Sequence, residues 1–400
     1  MRDFFATLND EQKQAIKNLP TPFYLLDERL IVENLSIVKK LCDLSGAKAL
    51  LALKCFATWG VFDAMKPYLH GTTSSSLFEV RLGKEEFGGE THAYSVAYSD
   101  DEIDEVLEFA DKVIFNSFNQ LARFGDKAQA KNIPVGLRLN PQTSNSSFLI
   151  ADPSRPFSRL GEHDLSKILA VADDISGVMI HNNCENADFD AFSKSLDDIE
   201  QKFGELFYRL EWISFGGGIH FIAKEYPLEA FAKRLKDFAD KYGVQIYLEP
   251  GEVSVHHTAV LMTTVLDTLH NGKPLAVVDS SIEAHMLDLL IYRQSAPLSF
   301  VNGTAYEIAG GDFDGVTADD EAVRIYGKSC LAGDIFGDYH LKEPLKIGDK
   351  VAFGNAAPYT MVKKNWFNGV NMPSIVIIRQ TGEVVVQRTF DYQDYKDSLS

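Results

Sequence analysis

From about residue 28 to residue 252 the chain repeats one pattern, a short apolar run that ends in polar or small residues followed by an amphipathic stretch of helical period. The apolar runs predict eight strands: Ala49–Phe56, Gly71–Ser76, His92–Tyr98, Val113–Ser117, Pro134–Asn140, Gly177–Asn183, Leu210–Gly218 and Gln245–Glu252. Between them the helical period predicts Leu77–Phe87, Asp101–Asp111, Asn119–Lys131, Asp164–Asp174, Phe189–Phe203 and Leu228–Tyr242, with Asp100, Ser117 and His163–Asp164 near helix starts. Strands that alternate with helices call for a parallel sheet, and eight repeats close it into a (β/α)8 barrel.

After Glu252 the period changes. Strand-like runs separated by Gly, Asn and Asp turns predict an all-β domain, with Val253–Leu266, Leu275–Asp279, Val323–Cys330, Lys350–Phe353, Ser374–Arg379 and Glu383–Arg388 as its strands. The short run Pro22–Leu26 precedes the first barrel helix and is expected to join that later sheet. The expected division is an N-terminal segment at 1–27, the barrel at 28–252 and a C-terminal β-domain at 253–400.

Composition narrows the function. A 400-residue chain with 45% hydrophobic and 24% charged residues can bury a large core. A formal charge of −18 leaves no basic stripe to neutralise phosphates, so nucleic acid is not an expected partner. The acidity permits a cationic substrate, but on charge alone simple solubility is the better explanation. No apolar run reaches the roughly eighteen residues of a membrane span, and the start of the chain is polar, so no membrane is expected and a cytoplasmic enzyme is. The cysteines Cys42, Cys55, Cys184 and Cys330 form no CxxC pair and no ligand spacing, which excludes a disulfide scaffold and predicts no metal site.

In a barrel of this kind reactive groups sit where strands end. The first predicted strand carries Lys54 within Leu51-Ala52-Leu53-Lys54-Cys55. An ammonium among apolar neighbours is costly, and desolvation favours the neutral amine that forms a Schiff base; a lysine reaching to the barrel rim is the alternative. The fifth strand ends in Arg138 and Asn140, the sixth in His181, the seventh in Gly216-Gly217-Gly218 and the eighth in Glu249. Three glycines let backbone N–H groups approach an anion where barrels commonly hold phosphate, although a tight turn explains them too. His181 is open to a core role or to stacking on an aromatic ring, and Arg138 to binding a ring hydroxyl or pairing with a barrel carboxylate. Glu249, in Leu248-Glu249-Pro250-Gly251, is a capping residue or a carboxylate beside a pyridine nitrogen.

Taken in order, Ala52-Leu53-Lys54, Gly177-Val178-Met179-Ile180-His181, Ser214-Phe215-Gly216-Gly217-Gly218, Glu249-Pro250-Gly251-Glu252, Ser329-Cys330-Leu331-Ala332-Gly333-Asp334 and Ala357-Pro358-Tyr359-Thr360 resemble the fold-type III pyridoxal-phosphate decarboxylases over nearly the whole chain. That resemblance implies an alanine-racemase-like barrel followed by a β-domain, and pyridoxal 5'-phosphate as cofactor. It implies Lys54 as the covalent attachment point, with Arg138, His181, Gly216, Gly217, Gly218, Glu249, Gly251 and Tyr359 around the cofactor. It also implies Cys330 as a catalytic group supplied across the interface of a homodimer whose active sites lie between subunits.

The same segments, with Glu283-Ala284-His285-Met286 and Ser158-Arg159-Leu160-Gly161, most resemble the branch acting on carboxynorspermidine and carboxyspermidine. Glu252 and Leu331 depart from the arginine and the acid usual in ornithine and diaminopimelate decarboxylases. A carboxylated polyamine needs an acidic pocket, for which Glu283, Asp288 and Asp334 are candidates, with Asp312 and Asp314 in a nearby loop. The alternatives are another amino-acid decarboxylase of the family or a non-catalytic homologue that binds a partner.

Overall fold

A computed structural model describes residues 4–146, 148–299, 306–308, 319 and 321–400. The chain divides into two compact units, Val32–Ser254 and Met1–Ile31 with Val255–Ser400.

In the first unit eight parallel strands close into a barrel. They follow an N-terminal strand β1 (Phe23–Asp27) and are β2 (Lys48–Ala52), β3 (Gly71–Ser74), β4 (Glu90–Tyr94), β5 (Lys112–Phe115), β6 (Val135–Leu139), β7 (Gly177–Ile180), β8 (Trp212–Ser214) and β9 (Gln245–Leu248). All eight are almost wholly buried, as strands walled by helices must be, which is why they read as apolar runs rather than as alternation. Leu50, Tyr94, Ile114, Met179, Trp212 and Tyr247 fill the interior. Trp212 is the largest of them, and Gly136 and Gly177 make room for it: a Cβ at either would come within 2.5 and 2.1 Å of its ring.

The helices sit close to the predicted ranges. Leu228–Tyr242 agrees at both ends, Phe189–Phe207 runs one turn further, and Ser99, Ser117 and Asp164 cap three helix starts through side-chain oxygens. The strands are shorter than predicted at their C-terminal ends. β2 stops at Ala52 although Leu53, Cys55 and Phe56 are also buried, because these residues line a buried turn rather than continue the ladder. Lys54 therefore belongs to a turn, not to a strand.

In the second unit β1 lies between an antiparallel partner, β10 (Ala259–His270), and a parallel one, Ser374–Ile378. Further strands at Pro274–Val278, Val323–Tyr326, Lys350–Gly354 and Val384–Arg388 extend the sheet. The predicted run Val253–Leu266 begins too early, since Glu252–Val255 is a helical turn and the strand starts at Ala259. The buried strand Ile335–Leu341 is absent from the sequence-based expectation, because Gly337, Asp338 and His340 interrupt its apolar pattern. Asp338 is buried there by pairing with Arg324 and Lys273. Phe4, Phe5, Ile16, Phe23, Leu25 and Val376 are part of this unit's core.

Candidate active site

The residues that end the barrel strands converge at one mouth. Lys54, in the turn after β2, is reachable by solvent, yet the protein packed around it desolvates the ammonium and lowers its pKa. Glu249 and Glu79 oppose that shift and Arg138 reinforces it. Among the described residues no carboxylate pairs directly with Lys54.

Glu249, just past β9, is buried, and burial raises its pKa. It accepts a hydrogen bond from Ser214 Oγ at 2.7 Å, and Thr73 supplies another hydroxyl. Arg138 is buried at the far side of the mouth. It donates to Tyr94 Oη at 2.6 Å with its guanidinium 5.0 Å from that ring centre. Tyr94 in turn donates to Asn116 Oδ1 at 2.9 Å, and Asn116 Nδ2 holds the Arg159 carbonyl at 2.8 Å. The pairing of Arg138 with a barrel carboxylate is thus replaced by a phenol, which leaves its positive charge uncancelled.

His181 follows β7. Its pKa is held well below the usual imidazole value by burial first, and then by Lys54 and Arg138. The ring is neutral at pH 7, and Nδ1 accepts from the Gly217 N–H at 3.1 Å, so the proton is on Nε2.

The glycines are more constrained than their sequence suggests. Gly216 and Gly218 have φ of 65° and 83°, and a Cβ at each would fall 2.4 Å from His181 Nδ1 and 2.2 Å from the Asn183 carbonyl. Their N–H groups are not all available to an anion, as the sequence suggested. Gly216 N–H donates to Ser214 Oγ at 3.2 Å and Gly217 N–H to His181. Gly218 is the one of the three whose N–H has no acceptor among the described residues. Gly251 presses against Cys55, where a Cβ would meet the cysteine's Cβ at 2.6 Å. Beside them an open cleft is lined by Gly216–Gly218, Leu248, Pro250, Gly251 and Glu252.

Glu79, Tyr94, Asn116 and Ser214 were not among the sequence candidates. Ser76-Leu77-Phe78-Glu79 reads as a capping box, and Ser76 does accept from Glu79 N–H, but the Glu79 carboxylate accepts from Ser75 N–H at 2.6 Å. Burial raises the Glu79 pKa, while that hydrogen bond and Lys54 lower it.

In the second unit Cys330 is an exposed thiol. Tyr359 has a left-handed φ of 49°, and Lys363 Nζ lies 5.3 Å from its ring centre. Glu283 is partly buried, its Oε2 has no hydrogen-bond partner among the described residues, and burial raises its pKa against the opposing hydrogen bond from Asn365, with Asp334 adding to the rise. Asp288 pairs with Lys363. Asp334, a substrate candidate by sequence, is instead turned inward. It is 1% exposed, and its carboxylate accepts from Ile282 N–H at 2.7 Å and Ser329 N–H at 3.0 Å. Asp312 and Asp314 lie outside the described residues.

The family model described as pyridoxal-dependent decarboxylase, C-terminal sheet domain, matches residues 23–357. The chain belongs to the pyridoxal-dependent decarboxylase family. A carboxynorspermidine/carboxyspermidine decarboxylase of Herminiimonas arsenicoxydans is 54% identical over 382 residues, covering 96% of this chain and 100% of that one. A carboxyaminopropylagmatine decarboxylase of Synechocystis is 34% identical and covers 98% of each chain. The crystal structure of carboxynorspermidine decarboxylase from Campylobacter jejuni, complexed with norspermidine, superposes with a TM-score of 0.85 at 35% identity, over 95% of this chain and 100% of that one.

The decarboxylase's barrel fits its pyridoxal phosphate. An amine of depressed pKa, a buried carboxylate without a cationic partner, a neutral histidine and a glycine turn that admits no side chain face one mouth. Ser74 Oγ, at the end of β3, is a buried hydroxyl with no hydrogen-bond partner among the described residues, so it is open to a ligand at the mouth.

Proposed function

We propose that this decarboxylase removes the α-carboxylate of carboxynorspermidine or carboxyspermidine and releases norspermidine or spermidine. The observation that carries the reading is the 54% identity to a relative of that activity, which runs through both compact units. Glu252 and Leu331, which depart from the ornithine and diaminopimelate pattern, support the same branch.

Bound pyridoxal phosphate supplies a sink for the electron pair left at the α-carbon when carbon dioxide departs. In our reading the side chains of the mouth prepare for that. Desolvation keeps a larger share of Lys54 as the neutral amine that attacks an aldehyde. Glu249 holds a proton at the pyridine nitrogen, because a buried carboxylate without a cation is relieved by one there. His181 would offer a neutral ring face to the cofactor, and Arg138 would bind its ring hydroxyl. Gly218 N–H, Gly251 and Tyr359 serve the phosphate. Glu283 reads a distal ammonium of the substrate; Asp288, already paired with Lys363, is the weaker candidate.

Cys330 delivers a proton to the α-carbon, and we assign that delivery to a second copy of the chain. In support, Trp59, Phe78, Leu149, Ile150 and Phe157 are exposed on segments that follow barrel strands, Trp59 and Phe78 at the starts of short helices, and Phe157 holds a left-handed φ of 59°. The free thiols suit a reducing compartment, hence the cytoplasm.

Turnover of carboxynorspermidine, carboxyspermidine, carboxyaminopropylagmatine, ornithine and diaminopimelate, measured side by side as carbon dioxide release, tests the substrate. A kcat/KM for the first two at least about tenfold above the rest is expected; a preference for ornithine or diaminopimelate would overturn the choice. Mixing Lys54→Ala and Cys330→Ala chains, neither of which forms the amine product efficiently by itself, tests the shared site with amine formation as the readout. Random exchange between dimers should restore about a quarter of the wild-type activity, and no recovery after verified exchange would place both residues in one subunit.

A further inference from the structure

The turn that carries Cys330 joins the strands Val323–Tyr326 and Ile335–Leu341, and its stem is fixed from within. Asp334 accepts from Ser329 N–H at 3.0 Å, Asp334 N–H donates to the Leu331 carbonyl at 3.0 Å, and Leu331 N–H donates to Ser329 Oγ at 3.3 Å. Gly327 is needed below, since a Cβ there would fall 2.3 Å from Asp334 Oδ1. Cys330 itself is exposed and shares none of those bonds. Its backbone N–H donates to Asn368 Oδ1, 38 positions along the chain, at 2.7 Å.

Asn368 reaches that N–H from a left-handed backbone, φ 59° and ψ 12°, which asparagine tolerates better than other residues with a side chain. Three positions earlier Asn365 serves the other candidate group. Its backbone N–H donates to the Ala284 carbonyl at 2.9 Å, and its Nδ2 lies 3.4 Å from Glu283 Oε1. From the opposite side Asp334 bonds Ile282 N–H at 2.7 Å, one residue before Glu283. The Glu283 helix, the Cys330 turn and the segment from Asn365 to Asn368 thus form a closed ring of hydrogen bonds.

We propose that Asn368 is the positioning residue for Cys330, setting the thiol's place relative to Glu283. It acts through the Cys330 backbone and touches neither substrate nor cofactor. The proposal rests on the reading that Cys330 delivers the proton to the α-carbon. A proton delivered there gives the amine. If the thiol is misplaced, the proton is added on the cofactor side, and water then releases an aldehyde while the amino nitrogen stays with the cofactor.

The test compares Asn368→Gly, which keeps the left-handed backbone and removes the acceptor, with Asn368→Asp, which keeps an acceptor oxygen. Two readouts are taken: the aldehyde-to-amine ratio from the holoenzyme, and the rate at which iodoacetamide alkylates Cys330 before cofactor is added, mapped by mass spectrometry with Cys184 as internal reference. In Asn368→Gly the aldehyde share should rise at least about fivefold and kcat fall about tenfold with KM within about twofold. The Cys330 alkylation rate should change at least about threefold relative to Cys184. Asn368→Asp should restore all of these. Wild-type product ratio and alkylation in Asn368→Gly would overturn the proposal. Cys330→Ala separates the two layers: if it too yields only amine, the proton-delivery reading fails and the proposal with it, whereas aldehyde from Cys330→Ala beside a normal Asn368→Gly refutes the positioning role alone.

Discussion

The barrel encloses a cluster of charged side chains at each end, and the two are opposite in kind. At the floor, where the strands begin, Glu90 of β4 accepts from Lys48 of β2, from Lys112 of β5 at 2.9 Å, from Tyr247 Oη of β9 at 2.7 Å and meets His92 Nε2 at 3.2 Å. Both ammonium groups also face the Tyr247 ring, at 5.7 and 5.1 Å. Burial opposes the charge on Glu90, yet these partners together hold its carboxyl far below the usual range. At the mouth the signs reverse: burial wins, so the Lys54 pKa goes down, the Glu249 pKa goes up and His181 stays neutral. Satisfied charges at the bottom of a barrel stabilise the fold; unsatisfied ones at the top are held at a cost until a ligand completes them.

The largest expected effect is at Lys54. Lys54→Ala should lower kcat by at least about 10³-fold and abolish borohydride-trapped cofactor on the peptide that contains this position. Its unfolding midpoint in the cofactor-free form should match or exceed that of the parent, because the change removes a desolvated amine that no carboxylate pairs with directly among the described residues. Label trapped on another lysine would overturn the assignment, and a large loss of stability would break the contrast between the two ends.

Glu249 and Glu90 supply a test of sign. The folded pKa of Glu249 is raised, so the folded state takes up protons more readily than the unfolded chain, and its ionisation costs stability as pH rises above the unfolded value of about 4.3. Glu249→Gln should therefore stabilise the cofactor-free protein at pH 7, with the difference vanishing in acid, while kcat falls by about 10²-fold or more. Glu90 is the mirror case. Its folded pKa is depressed, so its contribution is complete above about 4.3 and is lost as pH falls toward the folded value. Glu90→Gln should destabilise by about 1–3 kcal/mol at pH 7, discounted for partial exposure, and leave kcat within about threefold. Urea titrations of both variants across pH decide the matter: two curves that shift in the same direction would remove the distinction.

How much of this was visible in the sequence follows from the same contrast. The barrel could be read because each strand is a short apolar run with turn residues after it, and the mouth because its residues fall where those runs end. Lys54, His181, the glycines and Glu249 each carry a local anomaly, a charge or a glycine run among apolar neighbours. The floor carries none. Lys48, Glu90, Lys112 and Tyr247 stand at or near strand starts spread over 200 positions, where a charged residue looks like the end of a loop. Glu79 was hidden by a capping signature and Arg138's true partner, Tyr94, by distance along the chain. Asp334 was misread because sequence gives no sign of which way a carboxylate in a turn points; here it faces the backbone N–H groups of Ser329 and Ile282.

The smallest effect sharpens the contrast from outside the barrel. The helices Asp100–Phe109 and Phe118–Ala130 are joined by three ion pairs, Asp100–Arg123, Asp104–Lys127 and Glu108–Lys131, the last lysine lying just past its helix. Each step moves four residues along both helices, so the rungs share one face of each. The geometry is as regular as that of the floor, but the carboxylates are about two-thirds exposed, at 72%, 63% and 66%. Water already solvates them, and holding long side chains in place offsets most of what the pairing gains. Asp104→Ala should cost less than about 0.5 kcal/mol and the loss should fade as salt is raised, whereas the deficit of Glu90→Gln should persist in the same salt series. If the outer rung proved as costly as the floor carboxylate, pairing alone would explain stability; if only the floor survives salt, burial of a fully partnered charge is what sets that end of the barrel apart.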